Sequence, residues 1–219
     1  MMLLNRWQWV SFSIGLALLL LGGILFFRNN PEIQLTPGAG RQSAPVSALP
    51  DAAPAQLGDL EFRTDREKRS VIARRISSGE QVWESQGSEG WIVPGAAFPL
   101  DISPEGQLWV ANVGRKRLEQ LDPETGQFIA SWEPREAFSG CCNPVRFAAL
   151  AGGRFLTMEK GVRQARLYAP SGELLKIIVP DLSGSEFNYQ LRHTPEKVYL
   201  LDNDPKSWQP RVWELDAHE

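Results

Sequence analysis

The sequence predicts an all-β fold of repeated four-stranded units, carried behind a single N-terminal transmembrane helix. Three observations lead there. Residues 10–27 run without a charge, a Pro- and Ala-rich stretch follows them, and from residue 98 a strand–turn pattern recurs about every 46 residues. Repetition at that period is the size of one β-propeller blade, so the expected architecture is a partial β-propeller of three to four blades.

The segment "VSFSIGLALLLLGGILFF" has 18 residues and, at about 1.5 Å per residue, reaches across the hydrocarbon core of a bilayer. Trp7 and Trp9 precede it, where amphipathic rings favour the interface, and Arg28 closes it. No small-residue cleavage site and no cysteine follow within a few residues, so an uncleaved anchor is read rather than a signal peptide or a lipoprotein signal. Residues 1–9 then form a cytoplasmic N-terminus, 10–27 the anchor, 28–57 an extended Pro/Ala-rich linker and 58–219 the β domain. Arg6 and the terminal amine before the span outweigh Arg28 after it. The bias places the β domain outside the cytoplasm, on the periplasmic side of a bacterial inner membrane.

Within the domain, "FPLDISPEGQLWVANVGRKRLEQLDPETGQFIASW" alternates β-rich runs with turns at SPEG, VGRKR and PETG. "FAALAGGRFLTMEKGVRQARLYAPSGELLKIIV" repeats the pattern turn for turn. A third, shorter copy comprises "YQLRHTPEKVYLLDND" and "RVWELD" and lacks a terminal strand. Residues 70–86 offer a missing strand or a partial first blade. Trp83, Trp91, Trp109, Trp132, Trp208 and Trp213 are expected in the core, wedged between blades.

The first copy resembles the NHL repeat, with its hydrophobic-Asp segment, its "LWVAN" core and the Arg and Gly turn after it. The second, with "GCCNP" before "EKG", is similar to bacterial NHL-like propeller proteins carrying that stretch. The resemblance covers about residues 98 to 215. It implies a propeller fold and a binding role more often than an enzymatic one. The family usually closes a ring of about six blades. An arc of three or four leaves edges and flanks that a protein partner or a second copy would cover.

Composition narrows the chemistry. With 23 basic against 26 acidic residues, net charge −3, nothing favours nucleic acid. Two histidines, no G-x-S-x-G and no phosphate-cradling Gly loop leave no triad or nucleotide site to assemble, so no enzyme and no cofactor is read. The two cysteines, Cys141 and Cys142, are neighbours. Zinc would need four ligands, and besides these two only His193 and His218 are soft donors, so no metal site is read. Two readings stand for the pair. One is two apolar thiols filling a blade junction. The other is a strained adjacent disulfide, acting as a rigid plate at a binding surface or as a two-electron redox couple. The second of these makes a redox accessory protein the alternative function. Asn143, Arg146, Glu159, Lys160, Arg163 and Arg166 lie near it. Glu159, Lys160, Arg163 and Arg166 form either a solvated turn with surface ion pairs or, with Asn143 and Arg146, a binding rim that recognises an anionic group. Arg115, Lys116 and Arg117 fill the same turn of the preceding copy.

Overall fold

The computed structural model describes residues 55–182, 189–193, 197–202 and 211–216. The expected transmembrane segment, residues 10–27, lies outside them. Among the described residues no helix is long and apolar enough to cross a membrane.

The strands follow one another as antiparallel meanders. The first sheet comprises β1 (Ala55–Leu57), β2 (Leu60–Asp65), β3 (Ser70–Arg75) and β4 (Gln81–Ser85). The second has β5 (Leu100–Ile102), β6 (Leu108–Asn112), β7 (Arg117–Leu121) and β8 (Phe128–Trp132). The third has β9 (Arg146–Leu150), β10 (Arg154–Glu159), β11 (Gln164–Tyr168) and β12 (Leu174–Val179). The fourth has three described strands, β13 (Tyr189–His193), β14 (Lys197–Asp202) and β15 (Arg211–Asp216). The expected four-strand copies are therefore present, and three strands of the last copy are described. Residues 70–86, read as a missing strand or a partial first blade, supply β3 and β4 of a four-stranded sheet that residues 55–85 complete. Its polar-rich strands "LEFRTD" and "SVIARR" hide their inward faces among arginines. β1 also takes up the last three residues of the stretch read as linker, since "AQL" acquires strand character only by pairing with β2.

Alternation explains how the sheets stack. Successive side chains of a strand point to opposite faces. On β6, Leu108 and Val110 pack towards the first sheet with Phe62, Val71, Ala73 and Trp91. Trp109 and Ala111 pack towards the third, with Phe147, Ala149 and Phe155. On β10 the pattern repeats, Phe155 facing the second sheet and Leu156 and Met158 the fourth. The central strands β6 and β10 thus bury side chains on both faces, as a strand sandwiched between neighbouring sheets does. Trp91, Trp109 and Trp132 are buried in these seams and Trp83 packs at the edge of one. Trp208 and the side chain of Trp213 lie outside the described part.

Two further devices join the sheets. Their first strands lie side by side in the order β1, β5, β9, β13, and Asp101 Oδ2 accepts from the Ala149 N–H at 2.8 Å. On the outside, Trp83 Nε1 donates to Pro123 O and Trp132 Nε1 to Pro170 O, both at 3.0 Å. The last strand of one sheet is thereby latched to the final turn of the next. The glycines of those turns are required twice over. Gly126 and Gly172 have φ of +72° and +79°, and a Cβ would meet Trp83 at 2.6 Å and the Glu133 carbonyl at 2.5 Å. Meander sheets stacked face to face about their first strands are the blades of a β-propeller.

Candidate functional site

An antiparallel meander sends alternate connections to opposite ends. The β6–β7 and β10–β11 turns and the linkers between sheets lie at one end, where both cysteines fall. The linker from β8 to β9 is pinned at Phe138, buried beside Trp132. Asn143 then fastens the loop to the third sheet. Its Oδ1 accepts from the Lys160 N–H at 3.0 Å and its Nδ2 donates to Ser139 O. The loop sits so close to the β10–β11 turn that a Cβ on Gly161 would lie 2.0 Å from Ser139 O. Asn143 is fully buried, so this residue, expected on a binding rim, instead holds the loop in place.

That anchoring presents the thiols. Both are free, so no disulfide joins them here. Cys141 is exposed, whereas Cys142 is partly buried with φ +60°. Burial, then the neighbouring Cys141 thiol, pushes the Cys142 thiol above its ordinary value, and Lys160 opposes the shift. An open cleft of about 460 Å³ lies beside Cys141, lined by Gly140, Val145, Lys160, Gly161, Arg163 and Leu182. Behind it, Cys142, Arg146 and Lys160 border a small void of about 30 Å³ against Val113 of the second sheet. Arg163 is held by Leu182 O and by Asp181, 3.4 Å away, and Arg146 donates to Val145 O. The exposed Lys160 ammonium has no carboxylate partner among the described residues.

Glu159 and Arg166 differ from the expected solvated turn. Glu159 is fully buried in the seam between the second and third sheets. Its Oε1 accepts from the Tyr168 hydroxyl at 2.7 Å and from Thr157 Oγ1 at 2.9 Å. Its Oε2 has no hydrogen bond, and Arg166 Nη1 lies 3.7 Å away. Burial raises the Tyr168 hydroxyl to about 12. Lys160 and Arg163 do reach the surface, so the six predicted rim residues divide: Lys160, Arg163 and Arg146 surround the thiols, while Asn143, Glu159 and Arg166 build the scaffold.

Sequence reasoning passed over the corresponding group of the first seam. Glu119, also fully buried, accepts from Asn112 Nδ2 and Arg117 Nε at 2.9 Å on Oε1, and from Ser88 N and Oγ at 3.1 and 3.2 Å on Oε2. Asn112 in turn accepts from Ile92 N and donates to Gly90 O, tying down the linker. Arg115 pairs with Glu89 at 2.8 Å. In this copy two of the three basic residues of the turn, Arg115 and Arg117, are therefore paired with acidic neighbours. The available signal was a glutamate inside "RLEQL", two residues from an arginine and from a leucine on the same face. Among the described residues no group of three or more His, Cys, Asp or Glu side chains is placed to hold a metal.

No family model and no curated protein matches the chain. Among solved structures it is similar to hydrazine synthase from Kuenenia stuttgartiensis, 14% identical over 73% of this chain and 51% of that one, TM-score 0.41. It is similar to virginiamycin B lyase from Staphylococcus aureus, 12% identical over 77% and 57%, TM-score 0.41. A third is BamB from Moraxella catarrhalis, 13% identical over 73% and 46%, TM-score 0.34. The chain spans about half the length of these structures, and all three are β-propeller proteins.

Proposed function

We propose that the chain is a membrane-tethered, extracytoplasmic module of NHL-like blades that binds a protein partner within a membrane complex. The charge-free stretch at residues 10–27 and the basic bias before it support the tether and its orientation. One structural observation carries the binding role. The outermost strands β4, β8 and β12 expose large apolar side chains near the turns that precede them: Val82, then Phe128 and Ile129, then Leu174 and Leu175. Ile129 and Leu175 are 52% and 50% exposed, on strands with no neighbour at their outer edge among the described residues. A scattered exposed leucine is ordinary. A row recurring at the same place on three successive sheets is the pattern of a docking surface. Unpaired strand edges beside it offer backbone groups to a partner as well.

Covering such side chains is worth roughly 25 cal/mol per Å² of apolar area. The test is made on the full chain in its own membrane, with a photo-crosslinking residue at position 129 or 175 and a control at position 66. Discrete adducts from 129 and 175, absent from 66, are expected. The Ile129→Asp/Leu175→Asp variant should then lose the high-mass species on native gels while its thermal midpoint stays close to that of the parent. An unchanged native mass in that variant refutes the docking role.

A further inference from the structure

Cys141 and Cys142 have no part in the docking row, which lies at the opposite end of the sheets. We propose that they form a two-electron thiol–disulfide exchange site whose cleft takes small disulfides bearing carboxylates. Four features support this. The two thiols sit on consecutive residues of one fastened loop, so a disulfide delivered to one sulfur is within reach of the other. Their exposure is unequal: Cys141 faces solvent and Cys142 lies partly covered behind it, which separates an attacking from a resolving thiol. The cleft beside Cys141, about 460 Å³, falls in the range of small-molecule sites. Finally, its charge is one-sided. Lys160 and Arg163 line it and Arg146 stands behind, with Asp181 at Arg163 the one acidic group paired there among the described residues. Reactive thiols occupy electropositive, partly exposed surroundings of this kind.

The chemistry balances without any further component. The Cys141 thiolate attacks one sulfur of R–S–S–R, forming the Cys141–S–S–R bond and expelling RS⁻, which takes up the proton Cys141 released. Cys142 then loses its proton and attacks the Cys141 sulfur, expelling the second RS⁻. One disulfide is reduced to two thiols, and the pair is oxidised to a ring between neighbouring residues. Consecutive Cα atoms are about 3.8 Å apart, below the usual ~4.4–6.8 Å, so the ring is readily reopened by a dithiol, which becomes the disulfide in turn. The loop's fastening through Asn143 and the Gly161–Ser139 contact keeps the sulfurs at the cleft through the cycle. The inference stands on this cleft and is independent of the partner-binding role.

Reduced, full-length protein in detergent is mixed with glutathione disulfide, which is anionic, or cystamine, which is cationic. Released thiol and intact protein mass are followed. Two thiols per protein and a protein lighter by two hydrogens are expected, with glutathione disulfide the faster reagent. Cys142→Ser and Cys142→Ala should stop at one thiol and a mixed disulfide on Cys141. Lys160→Gln removes a positive charge from the cleft lining, so it should slow the anionic reagent and leave cystamine less affected. A stable mixed disulfide on the parent protein overturns the resolving role. Equal rates for the two reagents overturn the anion-binding cleft, and a Cys141→Ser variant that reacts as fast as the parent overturns the assignment of the attacking sulfur.

Discussion

Glu119→Gln is the substitution that most directly probes how the sheets are held together. The side chain keeps its shape but exchanges one carboxylate oxygen for an NH₂ group. Both oxygens of Glu119 accept from donors fixed by other duties. Asn112 also holds Gly90 and Ile92, and the Ser88 N–H belongs to the linker backbone. Whichever way the amide turns, an N–H faces an N–H, and the Arg117 guanidinium, 2.9 Å away, loses its buried counter-charge. Hydrogen bonds to a charged group contribute about 1.5–3 kcal/mol each, and breaking a buried pair from one side costs about 3–5 kcal/mol. We expect a loss of about 3–5 kcal/mol in urea unfolding of the purified chain, followed by tryptophan fluorescence. At about 2–4 °C per kcal/mol for a domain of this size, the midpoint should fall by roughly 6–20 °C. Glu89→Gln, at the exposed end of the same network, should cost no more than about 1 kcal/mol. In a double-mutant cycle with Arg117→Met, the two losses should be far from additive. A Glu119→Gln loss under about 1 kcal/mol, or additive behaviour in the cycle, would show that the buried carboxylate does not fasten the seam.

Two other outcomes follow from the seams. Trp132→Phe removes the donor to Pro170 O and thins the cluster with Phe155, at 4.5 Å, so a loss of about 1–2 kcal/mol is expected. Trp83→Phe, at the less buried latch on Pro123 O, should lose less, and the reverse order in thermal melts would contradict the latch. Tyr168 is held protonated in the folded state up to about 12, above its ordinary value near 10. A raised pKa contributes stability that is complete below pH 10 and is lost as pH climbs towards 12. Tyr168→Phe should flatten the alkaline limb of the stability profile between those values, and an unchanged limb would remove Tyr168 from its origin.

The strands and turns of the second and third sheets were legible because they depend on near neighbours. "QLWVAN" and "GRFLTME" carry β-rich runs, PETG and PSGE carry turn residues, and the 46-residue recurrence follows from repeating both. The adjacency of Cys141 and Cys142 is likewise a property of the chain alone. What the sequence could not show is which polar groups the stacking buries. Glu119 and Glu159 sit on strands whose alternation assigns each to a face. That face is a seam rather than solvent because a linker or a neighbouring sheet, up to 31 residues away in the case of Ser88 and Glu119, closes over it. Asn143 reads as a turn residue, yet its amide spans 17 residues to Lys160 N. The first sheet was obscured for the same reason: "LEFRTD" and "SVIARR" carry three and two charged residues in six, and only Trp91, Leu108 and Val110 of later segments reveal which positions are core. Local propensity acts over a few residues, whereas desolvation of a charge depends on everything that surrounds it, and in stacked sheets those surroundings come from distant parts of the chain.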